Sequence, residues 1–204
     1  CTVMMQDYST PGHMAVAIDQ SMVLEVGPTK EMEERYQGIT VLDGRGKLVM
    51  PGLTDGHTHV CQQLLRGRIS DEFPMIWTRF LVPFETSLTA SARLACLQMI
   101  KSGTTSFADA GGTHMEQVAE VVLESGMRAS LTRSTMDKGE MIPASMKAPA
   151  KTCIQGTEEL YRHYNGKGDG RLAIWFGLRQ IISCSDELIR MTGARAAELK
   201  TGIH

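Results

Sequence analysis

The chain has 204 residues, 42% of them hydrophobic, and a formal charge of −2. That is length enough for a sizeable core, and so slight a charge points to neither nucleic acid nor an anionic membrane surface as a partner. No apolar run approaches the roughly 20 residues that span a bilayer, and the start carries no charged segment followed by an apolar stretch. Five cysteines, odd in number, scattered and without a C-x-x-C pair, read as reduced thiols of a cytoplasmic protein.

Residues 1–50 read as short strands and turns. Met14–Ile18 and Met22–Val26 alternate around Asp19-Gln20-Ser21 and stop at Gly27-Pro28, which predicts a hairpin. A short charged helix or turn is expected over Lys30–Tyr36. Two more strands, Ile39–Asp43 and Lys47–Met50, flank Gly44-Arg45-Gly46. After Leu53 the rhythm becomes strand then helix, which argues for parallel strands with crossover helices. The helix over Thr89–Ser102 is expected to bury Leu94, Leu97 and Ile100, and Gly103 ends it before a strand at Thr104–Ala108. Thr113 and Glu116 form a capping box for a helix whose Met115, Val118, Ala119 and Val122 share one face, ended by Gly126. A third strand covers Arg128–Arg133, and a long loop rich in Met, Lys and Pro runs from Ser134 to Ala150; such loops are often functional. A helix over Gln155–Tyr164, a glycine-rich turn and a fourth strand at Leu172–Leu178 follow. Ser185 caps a helix reaching to about Thr201, and Gly202-Ile203-His204 begins a fifth strand.

The chemistry concentrates at Met50-Pro51-Gly52-Leu53-Thr54-Asp55-Gly56-His57-Thr58-His59. In an extended strand, side chains alternate, so His57 and His59 point the same way and Asp55 shares their face. Two neutral imidazoles on one face can converge on one metal at roughly 2.0–2.1 Å; the alternative is two half-exposed histidines at a strand end. Pro51-Gly52-Leu53-x-Asp55-x-His57-x-His59 resembles the first-strand signature of the amidohydrolase superfamily. Leu64-Leu65-Arg66-Gly67 is similar to its subgroup of methylthioadenosine/S-adenosylhomocysteine, guanine and triazine deaminases, and Gly103-Thr-Thr-x-Phe-Ala-Asp109 supports the likeness.

The resemblance implies an α/β fold: the N-terminal portion of a metal-dependent (β/α)8 TIM barrel at 51–204, about four strand–helix units, preceded at 1–50 by part of a small β-sandwich. It further implies a hydrolase that deaminates a nitrogen heterocycle with release of ammonia, with one divalent metal, zinc or alternatively iron, and a homo-oligomeric full-length parent. Cleavage of a C–Cl or amide bond in a related ring, or a half-barrel without catalysis, are the alternatives. His57 and His59 match the first two metal ligands. His204 is either the third ligand of the fifth-strand H-x-x-E motif or the histidine two places before it. The remaining ligands and the acid/base groups are expected beyond residue 204, so the fragment alone is expected to be inactive. Glu85 matches a position that contacts ribose hydroxyls, or is a surface residue at a helix start. Trp77 lines the pocket or packs in the core. Arg133 holds a polar part of the substrate or forms a salt bridge at the rim. Asp55 is an internal hydrogen-bond acceptor more readily than a ligand, and Asp109 a cap or loop acceptor. At the end of the fourth strand Arg179 stands where the subgroup has a histidine. A fixed fork donor there favours a carboxylate or another acceptor-rich group in the substrate, and places Arg179 beside Arg133 on one rim. His13, His114 and His163 read as surface residues.

Overall fold

Residues Cys1–Gly52 and Leu53–His204 form two separate units. The computed structural model describes all residues except Gln6, 68–87, Thr113, Met141 and Pro143. In the first unit β1 (Thr2–Val3) comes first, and β2 (Met14–Asp19) and β3 (Met22–Pro28) pair antiparallel as the alternation predicts. Gln20 takes a left-handed φ of 49° in the two-residue connection, the backbone sign that tight hairpin turns require. Helix α1 (Thr29–Arg35) buries Met32, and β4 (Leu48–Val49) lies parallel to β1. The strand expected over Ile39–Asp43 does not form. Val41 and Leu42 are 76% and 89% exposed, and no strand among the described residues offers this segment a ladder of hydrogen bonds, so β-propensity alone leaves it irregular.

In the second unit the elements alternate: β5 (Leu53–Thr58), α2 (Leu88–Ser102), β6 (Thr104–Gly112), α3 (Met115–Ser125), β7 (Arg128–Thr135), α4 (Ala150–Tyr164), β8 (Leu172–Leu178) and α5 (Asp186–Leu199). The four strands form one parallel sheet in the order β5-β6-β7-β8. Ile203 bridges to Phe176 in the same sense, so the chain begins a fifth strand where one was expected. This is an α/β fold, the strand–helix repeat of a (β/α)8 barrel over about half of its circuit. The core lies between sheet and helices, where Phe107, Leu131, Leu172 and Ile174 meet Val118, Val122 and Leu160. A second cluster joins Phe176, Ile154, Cys153 and Leu188.

Several helices differ from their expected form. Helix α2 buries Ala92, Ala95, Cys96 and Met99 and leaves Leu97 and Ile100 outside. The small residues let its backbone approach the neighbouring elements closely, so the larger side chains turn outward. Helix α4 starts five residues early, after Pro149, because Ala150, Cys153 and Ile154 recur at helical spacing and bury against Phe176 and Leu188. Helix α3 begins after His114, whose φ is 54°, and buries the predicted face; the Thr113 half of the expected capping box lies outside the described residues. Gly126, at φ 77°, ends it as expected. Ser185 caps α5 by accepting the Leu188 N–H at 3.1 Å.

Candidate metal centre

Two irregularities in the sheet shape the site. Between Asp55 and Thr58 strand β5 advances three residues while its partner β6 advances two, from Phe107 to Asp109. That extra residue breaks the alternation expected to hold Asp55 on the face of the histidines. Asp55 pairs in register with Phe107, a core residue under the helices, and its Oδ1 accepts the backbone N–H of His57 at 3.1 Å. It is a local acceptor. The second irregularity lies in β6, which advances three residues from Asp109 to Gly112 while β7 advances two. Gly111 sits in this bulge at φ +88°, where an added Cβ would lie 2.7 Å from the Ser134 backbone nitrogen; only glycine fits.

Three imidazoles gather at the C-terminal ends of the strands. The ring centroids of His57 and His59 are 5.5 Å apart, and those of His57 and His204 are 5.0 Å apart. His57 Nδ1 and His204 Nε2 share a hydrogen bond of 2.8 Å. His59 Nδ1 lies 2.8 Å from the Gly111 carbonyl oxygen, which can only accept. The proton therefore sits on Nδ1, and Nε2 carries the free lone pair. Onto that nitrogen Arg179 directs its Nη1 at 3.2 Å. Burial, and next the Arg179 cation, bring the His59 pKa down to about 4, so its ring is neutral near neutral pH. His204 is lowered too, by burial and then by His57.

Beneath the cluster Asp109 is fully buried. Its two oxygens accept the N–H groups of Val60 and Gly111, at 2.9 and 2.8 Å. Burial nevertheless raises its pKa to about 6. The expected loop-acceptor role is what these contacts describe. Neither Gly111 nor the coupling of Asp109 to His59 was foreseen from sequence; the signal available was a Gly-Gly pair just past a strand end.

Arg133 does not share a rim with Arg179. It pairs in register with Phe176, whose ring lies in the core under α4 and α5, and its guanidinium packs so closely on α4 that a Cβ on Gly156 would lie 2.5 Å from Nη1. The cause is period two. Leu131 and Thr135 are buried on the helix side, so Arg133 between them faces the same way, whereas Arg179, next after Leu178, faces the imidazoles. Arg133 lines a different cavity of about 260 Å³, with Gly112, His114, Glu116 and Ser134. Trp77 and Glu85 lie outside the described residues. His13, His114 and His163 are exposed, as expected.

Imidazoles, one of them neutral with Nδ1 already committed to a carbonyl, fit a divalent metal in kind. As they stand, no three His, Cys, Asp or Glu side chains among the described residues are grouped tightly enough to hold an ion. His57 and His204 share a hydrogen bond between ring nitrogens, and Arg179 covers Nε2 of His59.

The amidohydrolase family profile matches residues 48–204. The chain belongs to the amidohydrolase family. A 5-methylthioadenosine/S-adenosylhomocysteine deaminase of Pelotomaculum thermopropionicum is 35% identical over 93% of this chain and 43% of its own length. A guanine deaminase of C. acetobutylicum, solved with guanine bound, shares the fold with a TM-score of 0.80 at 20% identity, over 96% of this chain and 48% of the other. An adenosine deaminase from Xanthomonas campestris with bound zinc gives a TM-score of 0.77 at 21% identity, over 96% and 45%. The chain thus spans under half the length of these amidohydrolases, and its histidine pair lies within the matched segment.

Proposed function

We propose that the intact protein is a metal-dependent hydrolase that deaminates a nitrogen heterocycle of purine, pyrimidine, nucleoside or triazine type and releases ammonia. The observation that carries this reading is the convergence of His57, His59 and His204 at the strand ends, with the His59 tautomer set by Gly111. The deaminase relative and the two deaminase structures support it.

His57 and His59 would hold the metal through neutral ring nitrogens, with His204 either a third ligand or a neighbour of it. Zinc is the ion proposed, in keeping with the zinc-bound adenosine deaminase of the same fold. When bound, a divalent metal supplies Lewis acidity and makes water nucleophilic near neutral pH. The chain's own residues then set the geometry. Gly111 keeps the His59 proton on Nδ1 and away from the metal side. Arg179, drawn off the His59 lone pair, presents a fork of N–H donors beside the reacting ring, where a carbonyl or carboxylate of the substrate can accept two of them. Trp77 and Glu85 are proposed pocket residues on their sequence match. Cytoplasmic location agrees with five cysteines that form no disulfide, and a homo-oligomeric parent completes the reading.

The test is metal analysis of the purified full-length protein together with ammonia release from adenosine-type, guanine-type and triazine substrates. About one zinc per chain and turnover of at least one class are expected, with both lost in His57→Ala and His59→Ala. A folded, metal-free protein inert to every class would refute the proposal.

A further inference from the structure

We propose that Asp109 is a positioning residue that orients His59 for metal binding by fixing the two backbone segments between which the imidazole is held. This rests on the metal-centre reading above. Oδ2 of Asp109 accepts the N–H of Val60, the residue directly after His59, at 2.9 Å. Oδ1 accepts the N–H of Gly111 at 2.8 Å, and the carbonyl of that same Gly111 receives the Nδ1–H of His59 at 2.8 Å. One carboxylate therefore ties down both the backbone that carries the ring and the peptide that selects its tautomer. The Asp109 main chain is held in turn by Thr132, whose hydroxyl donates to the Asp109 carbonyl at 2.9 Å.

Two acceptor oxygens at one position are what the geometry uses. A carboxylate supplies them, whereas an amide of the same shape offers one oxygen and turns an N–H2 toward a second N–H. Asp109→Asn should then release either Val60 or Gly111 while removing almost no volume. Partners that fix the orientation of a ligating histidine usually change metal affinity by 10–100-fold when lost. Asp109 reaches its histidine through one intervening peptide, and it does not touch the metal side of the ring.

The experiment uses full-length protein with 15N-labelled histidine, as wild type and Asp109→Asn, stripped of metal. Two-bond proton–nitrogen spectra report the tautomer of His59, and competition against a chromogenic chelator reports zinc affinity. Wild type should show the Nδ1–H form. The variant should show a mixture of tautomers and zinc affinity lower by about 10–100-fold. A merely structural aspartate would lower the melting temperature and leave both readouts alone; an unchanged tautomer with affinity within about threefold of wild type would overturn the proposal. If Asp109→Asn does not fold, the wild type decides. In uniformly 15N,13C-labelled wild type, hydrogen-bond couplings from the Val60 and Gly111 amides to the Asp109 carboxylate, with His59 as Nδ1–H, support the proposal, and the absence of either overturns it. Wild type that shows these bonds and takes up no zinc would instead sink the metal-centre reading and leave the orientation of His59 by Asp109 standing.

Discussion

Arg179 sits where a metal would have to approach His59, so replacing it should tighten metal binding. Its Nη1 lies 3.2 Å from Nε2 of His59, and the only lone pair available to a metal on that ring is the one it covers. A hydrogen bond involving a charged group is worth about 1.5–3 kcal/mol net, and each ~1.4 kcal/mol is tenfold in affinity. Both side chains are partly exposed, which argues for the lower part of that range. Removing a cation beside an incoming dication acts in the same direction. Arg179→Gln in the full-length protein should therefore bind zinc about tenfold more tightly by chelator competition. It should also raise KM for substrates bearing a carbonyl or carboxylate beside the ring. The His59 pKa, about 4 with Arg179 present, should rise in the variant but stay under 6.5, since burial is the larger cause of its depression. Zinc affinity unchanged or weaker in a folded variant would show that Arg179 does not compete for Nε2.

Other perturbations have equally definite outcomes. In metal-free protein, His59 binds its proton less readily folded (pKa about 4) than unfolded (6.5), so its contribution to stability falls as pH drops from about 6.5 to 4. Asp109 binds its proton more readily folded (about 6) than unfolded (3.8), so its contribution rises as pH drops through about 6 to 3.8. Urea titrations from pH 4 to 6 should show Asp109→Asn losing more stability on acidification than wild type, because the variant lacks the opposing Asp109 contribution; equal slopes would contradict this. Gly111→Ala should lose more than the ~1–2 kcal/mol of a left-handed alanine, because its Cβ also meets the Ser134 nitrogen, and a wild-type melting temperature would refute the bulge geometry. Leu131→Ala, at a fully buried core position, should cost about 2–5 kcal/mol by denaturant unfolding. The 204-residue chain expressed alone should self-associate on gel filtration, since Leu53 and Ile203 are 51% and 47% exposed at the two edges of its parallel sheet; a sharply melting monomer would count against this.

The strand–helix rhythm was legible because each apolar run and its terminator act locally. Gly126, Ser185 and the Leu172–Leu178 run needed nothing distant to do what their chemistry predicts. Failures occur where tertiary contact decides. Leu97 and Ile100 have the right spacing for a buried face, yet the tighter approach allowed by Ala92, Ala95 and Cys96 won. Ile39–Asp43 has strand composition, but a strand is a property of two segments and no second one stands beside it among the described residues.

The same division runs through the site. The juxtaposition of His57 and His59 was legible because the two flank Thr58, which pairs in register with Asp109, so both turn to the face opposite Thr58. Asp55 and Arg133 were misplaced because parity was carried across distances over which it is not conserved or was not counted from a buried neighbour. One inserted residue moves Asp55 off the histidine face, and counting from Leu131 puts Arg133 under α4. Bulges are set by cross-strand geometry and leave only a faint mark in sequence, here the pair Gly111-Gly112. The β6 bulge, distinct from the one that displaces Asp55, brings the Gly111 carbonyl to His59 and so selects its tautomer. A sheet of perfect register would have been easier to predict, and it would lack the acceptor that fixes the His59 proton on Nδ1 and leaves the lone pair on Nε2.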